Sequence, residues 1–390
     1  MHAISQDSRT AGREPSLPVL GVLVCERDGS LPFAEDAYLR RLSLAAQRLG
    51  LSLIVFAPWT WNARSNSVRG WSWSRREQRW MPRVSELPLV VYDRAWPTSD
   101  TEKRRFRSAL QRIIAVQPLT FLNSRLPHKG TVGELLSRDK KYAPLVPPTA
   151  AYEGTISLLA WLREHGNAAF LKPAAGSQGR RVIAVERTGD GSALLTGRTS
   201  GNRPFIRSFR NERDAFSRLH RWIGTRAYIM QPLLELRTAL GEPFDLRALL
   251  QKNEHGRWTI TGIAARVGSQ GTVTANLHGG GRAEPVNAAL SPLLGAERAQ
   301  DLEQEIRRDA LALANWFEES FGRFAELGLD FGVDRSGKLW FLEANSKPGR
   351  MAMKFAGDEA AERSVALPLS YASTILLRPS GRVIHEFDPM

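Results

Sequence analysis

Residues 328–349 read GLDFGVDRSGKLWFLEANSKPG. Two apolar runs flank a DRSG turn at 334–337, the pattern of a β-hairpin. Glu343 and Asn345 lie two apart in the second run, so their side chains leave the same face, about 6–7 Å from one another. The turn folds Asp330, on the first run, back beside Glu343. Three oxygen-bearing side chains then share a surface with Leu329, Phe331, Leu339 and Phe341 close in sequence. Carboxylates in such surroundings are costly unless compensated. One compensation is a hard dication, since Mg²⁺ takes carboxylate and amide oxygens and keeps water and substrate phosphate in its shell. The other is an arginine paired with a strand-end acid. The residues alone leave both open.

Upstream, residues 170–181 read FLKPAAGSQGRR. An apolar strand stops at Lys172 and gives way to a glycine-punctuated loop. There is no G-x-x-x-x-G-K-[ST], and the loop lies between strands, so this is no P-loop. A GSQG turn still lets backbone N–H groups converge on an anion, with Lys172 as a point charge. Small glycine loops also simply turn a chain, with the lysine facing water.

The rest of the sequence supplies a frame. VLGVLVC (19–25), a helical period in AEDAYLRRLSLAAQRLG and LSLIVFAP read as a parallel strand–helix–strand unit. WTWNARSNSVRGWSWSRREQRW reads as a twisted hairpin or long loop. PLVVYDRAW is a third strand, TEKRRFRSALQRII a helix and LTFLN (119–123) a fourth strand. After 125 the pattern changes. KGTVGELLSRD and TISLLAWLREHG are helices, the second with Thr155 as its cap. The chain then becomes mainly antiparallel: AFLKP, RRVIAVER, RAYIMQPLLE, FDLRALLQK and RWTITGIAARV are strands, with NERDAFSRLHRWI a helix and NEHG (253–256) a turn. A long amphipathic helix covers 301–325. The expected domains are a loose polar tail at 1–16, an α/β domain at 17–125, a second domain at 126–355 and an extension at 356–390.

Composition narrows the function classes. Of the 390 residues 42% are hydrophobic, a globular share. No run approaches the ~20 apolar residues of a membrane span, and the start lacks an apolar signal-peptide core. Cys25 is the only cysteine. No internal disulfide and no cysteine-based zinc site is possible, and its apolar surroundings suit an inert buried thiol. A reducing cytoplasm fits. The net charge is +14, and residues 64–129 carry 14 Lys and Arg against 5 Asp and Glu. Nucleic acid, an anionic polymer or an acidic substrate would explain that excess, as would a solvated arginine-rich surface. The tryptophans of 59–80 face a core, or stack on single-stranded nucleic acid or a glycan. The seven histidines are scattered, and no nucleophilic triad is visible; His278 is the one worth testing.

The order of these motifs resembles the ATP-grasp superfamily, which includes glutathione synthetases and D-alanine–D-alanine ligases. The phrases FLKPAAGSQG, FDLRALLQKNEHGRW, AARVGSQGTVTANLHGGG and LGLDFGVDRSGKLWFLEANSKPG are similar to the YheC/YheD family of endospore coat-associated proteins, over about residues 18–355. The resemblance implies an α/β N-terminal domain followed by an α+β ATP-grasp domain of two subdomains, with the nucleotide between antiparallel sheets. It implies ATP and Mg²⁺ as cofactors. Lys129 matches the first nucleotide-binding lysine, and Lys172 the second, on α- and β-phosphate oxygens. Gly176, Ser177, Gln178 and Gly179 match the loop closing over the terminal phosphates. Gln231 to Leu233 match the adenine segment, and Glu235 the ribose contact. Arg247 and Arg266 match basic residues facing the transferred phosphate or acceptor carboxylate. Asn276 matches a site-lining amide, and Asp330, Glu343 and Asn345 match the Mg²⁺ ligands. Lys347 departs from the family pattern, where a small residue is common, and HGGG (278–281) reads as a mobile loop.

Three functions follow as expectations. The first is an ATP-dependent carboxylate–amine ligase working through an acyl phosphate, with a peptide or cell-envelope component as acceptor. The second is a catalytically silent nucleotide-binding protein of the spore coat, assembling with other coat proteins. The third, a basic nucleic-acid binder, has no recognised motif behind it.

Overall fold

VLGVL, the strand β1 (Val19–Leu23), is buried along all but its first residue, because both faces of its sheet are covered. α1 (Asp36–Arg48) buries Leu39, Leu42 and Ala46 at helical spacing. The chain returns as β2 (Ser52–Asn62), parallel to β1. β5 (Val90–Asp93) pairs parallel on the other side of β1, and β6 (Thr120–Phe121) parallel to β5. LTFLN thus contributes a shorter strand than its apolar run suggests. α2 (Asp100–Val116) starts at Ser99, whose hydroxyl accepts the Glu102 N–H, and packs Phe106, Leu110 and Ile113 against Leu23, Ile54, Phe56 and Val91. Cys25 is buried in that same core. The tryptophan-rich stretch is neither loop nor lone hairpin. It forms β3 (Ser67–Ser74) and β4 (Arg79–Glu86), which extend the sheet antiparallel to give the order β4–β3–β2–β1–β5–β6.

This computed structural model describes residues 17–29, 32–174, 179–275 and 280–377. It divides into two compact units, one of residues up to 122 together with those from 369 on, the other of residues 123–368. The expected loose tail at 1–16 lies outside the described residues. α8 (Asp358–Leu376) occupies most of the described part of the expected C-terminal extension.

In the second unit α3 (Lys129–Arg138) opens at the lysine singled out above. A six-stranded antiparallel sheet follows, built of β7 (Ala150–Ala151), β8 (Ala168–Pro173), β9 (Ile183–Arg187), β10 (Ala193–Arg198), β11 (Pro204–Phe209) and β12 (Tyr228–Gln231), in the order β11–β10–β9–β8–β12–β7. Its core joins Leu171 and Val185 to Leu158 of α4 (Thr155–Glu164) and to Phe216 and Leu219 of α5 (Glu212–Ile223). Gly154, rather than Thr155, stands at the start of α4.

A five-stranded antiparallel sheet completes the unit: β13 (Phe244–Lys252), β14 (Trp258–Val267), β15 (Arg282–Glu284), β16 (Glu326–Val333) and β17 (Leu339–Asn345), in the order β15–β14–β13–β16–β17. α6 (Val286–Leu294) and α7 (Ala296–Phe321) share its core. α7 begins and ends earlier than 301–325, between Gly295 and Gly322, both at positive φ. Leu302, Ile306, Leu313 and Phe317 of α7 meet Leu246, Ala248, Leu329 and Phe331. Burying each such side chain contributes about 1.5–3 kcal/mol. No helix among the described residues is long and apolar enough to cross a membrane.

Candidate functional site

Strand alternation turns Leu246, Ala248, Leu329 and Phe331 toward the core, so Asp245, Arg247 and Asp330 face the opposite side of the sheet. Arg247 stands opposite Asp330, and Asp245 opposite Arg266. On the outer strand the register slips. Phe331 faces Phe341, yet Asp330 faces Glu343, with Leu342 as the extra residue. Without that bulge Asp330 would meet Leu342, and Glu343 would share a face with Phe341. The bulge sends Phe341 into the core and Glu343 to the other face. Asn345 stands opposite Gly328, whose lack of a Cβ leaves room for Pro348. A Cβ there would lie 2.7 Å from the proline's own.

Charge compensation within the row is almost complete. Asp330 is 3% exposed and sits between Arg247 and Arg266, each 8% exposed. Arg247 donates Nε–H to Oδ1 and Nη2–H to Oδ2, the latter at 2.9 Å. Arg266 Nη2 lies 2.9 Å from Oδ2 and donates Nε–H to Asp245 Oδ1. Lys129 donates to Glu343 Oε2, and Asn345 Nδ2 donates to Glu343 Oε1 at 3.1 Å. Burial pulls Glu343 upward, but the ammonium of Lys129, with that of Lys172, holds its carboxyl well below the usual carboxylate range. Burial, only partly offset by Arg266, pushes Asp245 up. Burial also works against the Arg266 charge, and Asp245 and Asp330 still hold that guanidinium above its ordinary value. The arginine alternative for Asp330 is therefore what the described side chains form.

The six-stranded sheet supplies the facing side. Ala169 and Leu171 of β8 are fully buried in its core, so Phe170 and Lys172 point the other way. Lys172 Nζ reaches to 3.5 Å from the Leu342 carbonyl. Burial and then the neighbouring Lys129 push the Lys172 ammonium down to about 8, against the pull of Glu343 and Asp330. Lys129, Lys172, Arg266, Asp330, Glu343 and Leu342 line one cavity of about 170 Å³. Its apolar wall comes from Phe170, Val182, Leu233 and Leu236. Five cationic side chains line it against three carboxylates, so it attracts anions beside a surface suited to a flat ring.

Among the residues singled out from sequence, Gly179, Gln231 and Leu233 also line this cavity. Gly179 has φ 61°, a conformation glycine adopts without strain. The Gln231 side chain donates to Thr149 Oγ1 at 2.9 Å. Arg247 and Asn345 are not lining residues and join the site through Asp330 and Glu343. β12 ends at Gln231, the chain leaves the sheet, and the Glu235 side chain, 70% exposed beside Arg335, is not among the lining residues. Gly176, Ser177, Gln178, Asn276 and His278 lie outside the described residues. Sequence reading missed Asp245, Phe170 and Val182. The first two carried a signal: each stands two residues before a selected basic residue, Arg247 and Lys172, and so shares its face.

Comparison with known proteins extends this geometry. The chain is 26% identical over 338 residues to the endospore coat-associated protein YheD of Bacillus subtilis (strain 168), covering 85% of this chain and 73% of the relative. It is 25% identical over 335 residues to YheC of the same organism, covering 86% and 91%. Among solved structures, the ATP-grasp ligase PsnB complexed with precursor peptide PsnA2 and AMPPNP superposes with a TM-score of 0.52 at 14% identity, over 91% of this chain and 98% of that one. That likeness concerns the fold, two antiparallel sheets preceded by an α/β unit, which is the ATP-grasp architecture. With the family model matching residues 118–375, which hold every described site residue above, the chain belongs to the YheC/D-like ATP-grasp family.

Proposed function

We propose that this protein is an ATP- and Mg²⁺-dependent ligase joining a carboxylate to an amine through an acyl phosphate. One observation carries the reading: Lys129 and Lys172, from separate elements, converge with Arg266 on a cavity that has carboxylates on one side and an apolar wall on another. Phosphoryl transfer needs positioning and charge neutralisation more than covalent help from protein. The lysines would hold the nucleotide phosphates, and Phe170, Val182 and Leu233 its base. Arg266 would neutralise the transferred group or the acceptor carboxylate, with Arg247 positioning Asp330. In the reaction an acceptor carboxylate oxygen bonds to the γ-phosphorus as the bond to ADP breaks. An amine then attacks the acyl carbon, phosphate departs and the nitrogen loses a proton.

The donor set of Glu343, Asn345 and Asp330 is all oxygen, which fits Mg²⁺. Bound with the nucleotide, the ion would neutralise phosphate charge. Holding it requires Lys129 to leave Glu343, a move that phosphate oxygens would favour by offering the ammonium a new partner. The domain limits 17–125 and 126–355, a cytoplasmic location and association with the endospore coat belong to the same proposal; the names of YheC and YheD support the last.

The test is a melting curve with Mg·ATP. A ligand at 100 times its Kd stabilises the folded state by about 2.7 kcal/mol, so the midpoint should rise. An equal rise in Lys172→Ala would count against the assignment. Acceptor-dependent phosphate release then separates a ligase from a second reading, a silent nucleotide-binding coat protein. That second reading is favoured by one observation: Asp330 and Glu343 are already compensated by protein cations.

A further inference from the structure

The first unit holds another concavity, used by neither its core nor the nucleotide reading. It encloses about 780 Å³ and is lined by Trp59, Trp71, Trp73 and Trp80 together with Arg69 and Arg105, within the ~300–1,000 Å³ range of small-molecule sites. Three features separate it from a solvated basic face. First, the β2–β3 register breaks between Phe56 and Trp61. Residues 57–60 stand against Arg69 alone, and that bulge carries Trp59 to the cavity. Second, the other rings are held in place. Trp71 Nε1 donates to Glu26 at 2.9 Å, and Trp80 Nε1 to Asp36 at 2.7 Å. Asp36 also pairs with Arg40 at 2.9 Å, and the Arg40 guanidinium lies 5.4 Å from the Trp73 ring centroid. Asp36 follows Glu35, a non-glycine residue at φ 60° that the fully buried Arg94 clamps through both carboxylate oxygens. Such a conformation persists only where surrounding structure fixes it. Third, Arg69 and Arg105 have no carboxylate partner among the described residues, and Arg105 stacks on Trp59 at 4.2 Å.

Each component selects for a chemistry. Indole faces take rings. Unpaired guanidiniums take carboxylates or phosphates. Glu26 and Asp28, also in the lining, accept from hydroxyls, which a sugar ring carries in number. A neutral glycan leaves Arg69 and Arg105 unused, and a DNA strand has few hydroxyls to offer Glu26 and Asp28. We propose that this cavity binds an acidic oligosaccharide of the uronic-acid type, with a ring face on Trp71 and its carboxylates on Arg69 and on Arg105, which the Trp59 ring holds by stacking.

Calorimetric titration of the full chain with oligogalacturonate and oligoglucuronate of three or four units tests this. Saturable binding is expected, weakened roughly 10-fold or more by Trp59→Ala and several-fold by Arg69→Ala. Unfolding midpoints serve as the folding control, and the exposed Arg69 guards against a misfolded tryptophan variant. Methyl-esterified oligogalacturonate should bind at least about 10-fold more weakly. The proposal is overturned if neither oligomer binds at about 10 mM, or if binding is indifferent to both substitutions. It is equally overturned if oligothymidylate binds more tightly and loses that affinity on the same substitutions, which assigns the cavity to single-stranded nucleic acid.

Discussion

Both the β16–β17 pair and the β2–β3 pair lose register at a bulge, and in each the bulge delivers a side chain to a cavity. What surrounds the delivered residue differs. Around Leu342 and Glu343, acids and bases are buried or half-buried and tied to one another. Around Trp59, the rings carry the apolar surface while Arg69 and Arg105 remain exposed and without carboxylate partners among the described residues. The contrast teaches how one device serves two energetic regimes. In a desolvated setting every charge must have its counter-charge, and removing one member strands the others. In a wet setting charge is held cheaply by solvent, and shape comes from the aromatic groups.

The largest effect should come from Asp330→Ala. It leaves Arg247 and Arg266 buried with less compensation, and a loss of about 3–5 kcal/mol in urea unfolding is expected. A loss under ~1 kcal/mol would mean that water reaches the row and would erase the contrast. Next is Lys172→Ala, which should weaken Mg·ATP by about 1.5–3 kcal/mol, the worth of a hydrogen bond to a charged group. This lysine also carries a pH signature. Its ammonium sits at about 8 in the free protein, and a triphosphate beside it would raise that value. Nucleotide binding should therefore take up protons between about pH 8 and 10 and weaken as pH rises through that window. Calorimetry in buffers of differing ionisation enthalpy reads the uptake, which Lys172→Ala should abolish.

Gly328→Ala should cost about 1–3 kcal/mol, since its new methyl group meets Pro348 and comes within 3.4 Å of Arg247 Nη1. Turnover should fall with it if Arg247 positions Asp330. The smallest effect belongs to the tryptophan cavity. Arg40→Ala removes an ion pair whose arginine is 44% exposed, so thermal denaturation should show roughly 0–1 kcal/mol. A larger loss would indicate that this cavity, too, depends on buried charge.

Much of the frame was legible in residues. Apolar runs and helical periods marked β1, α1, α3, α5 and α7, because burying a face imposes the period. β10 and β11 escaped notice, since ALLTGR and PFIRSF lack clean alternation and β11 is mostly exposed. Lys172 and the acidic hairpin were found because charge at an apolar strand's end is costly and stands out. The exposed position of Glu235 was not legible, because nothing local says where a chain leaves a sheet.

Composition and pattern were enough to indicate an α/β unit followed by an antiparallel one and to nominate Lys172, Asp330 and Glu343, because burial of apolar faces and the cost of buried charge are written residue by residue; Lys129 was nominated by the family resemblance. Which partner each charge finds was decided only in three dimensions. Turn geometry counted from 334–337 would set Asp330 opposite Leu342, and one extra residue in β17 sets it opposite Glu343. A β-bulge is stabilised by packing on both sides of the sheet, here Phe341 on Phe331 and Glu343 under Lys129, and these contacts join residues far apart in the chain.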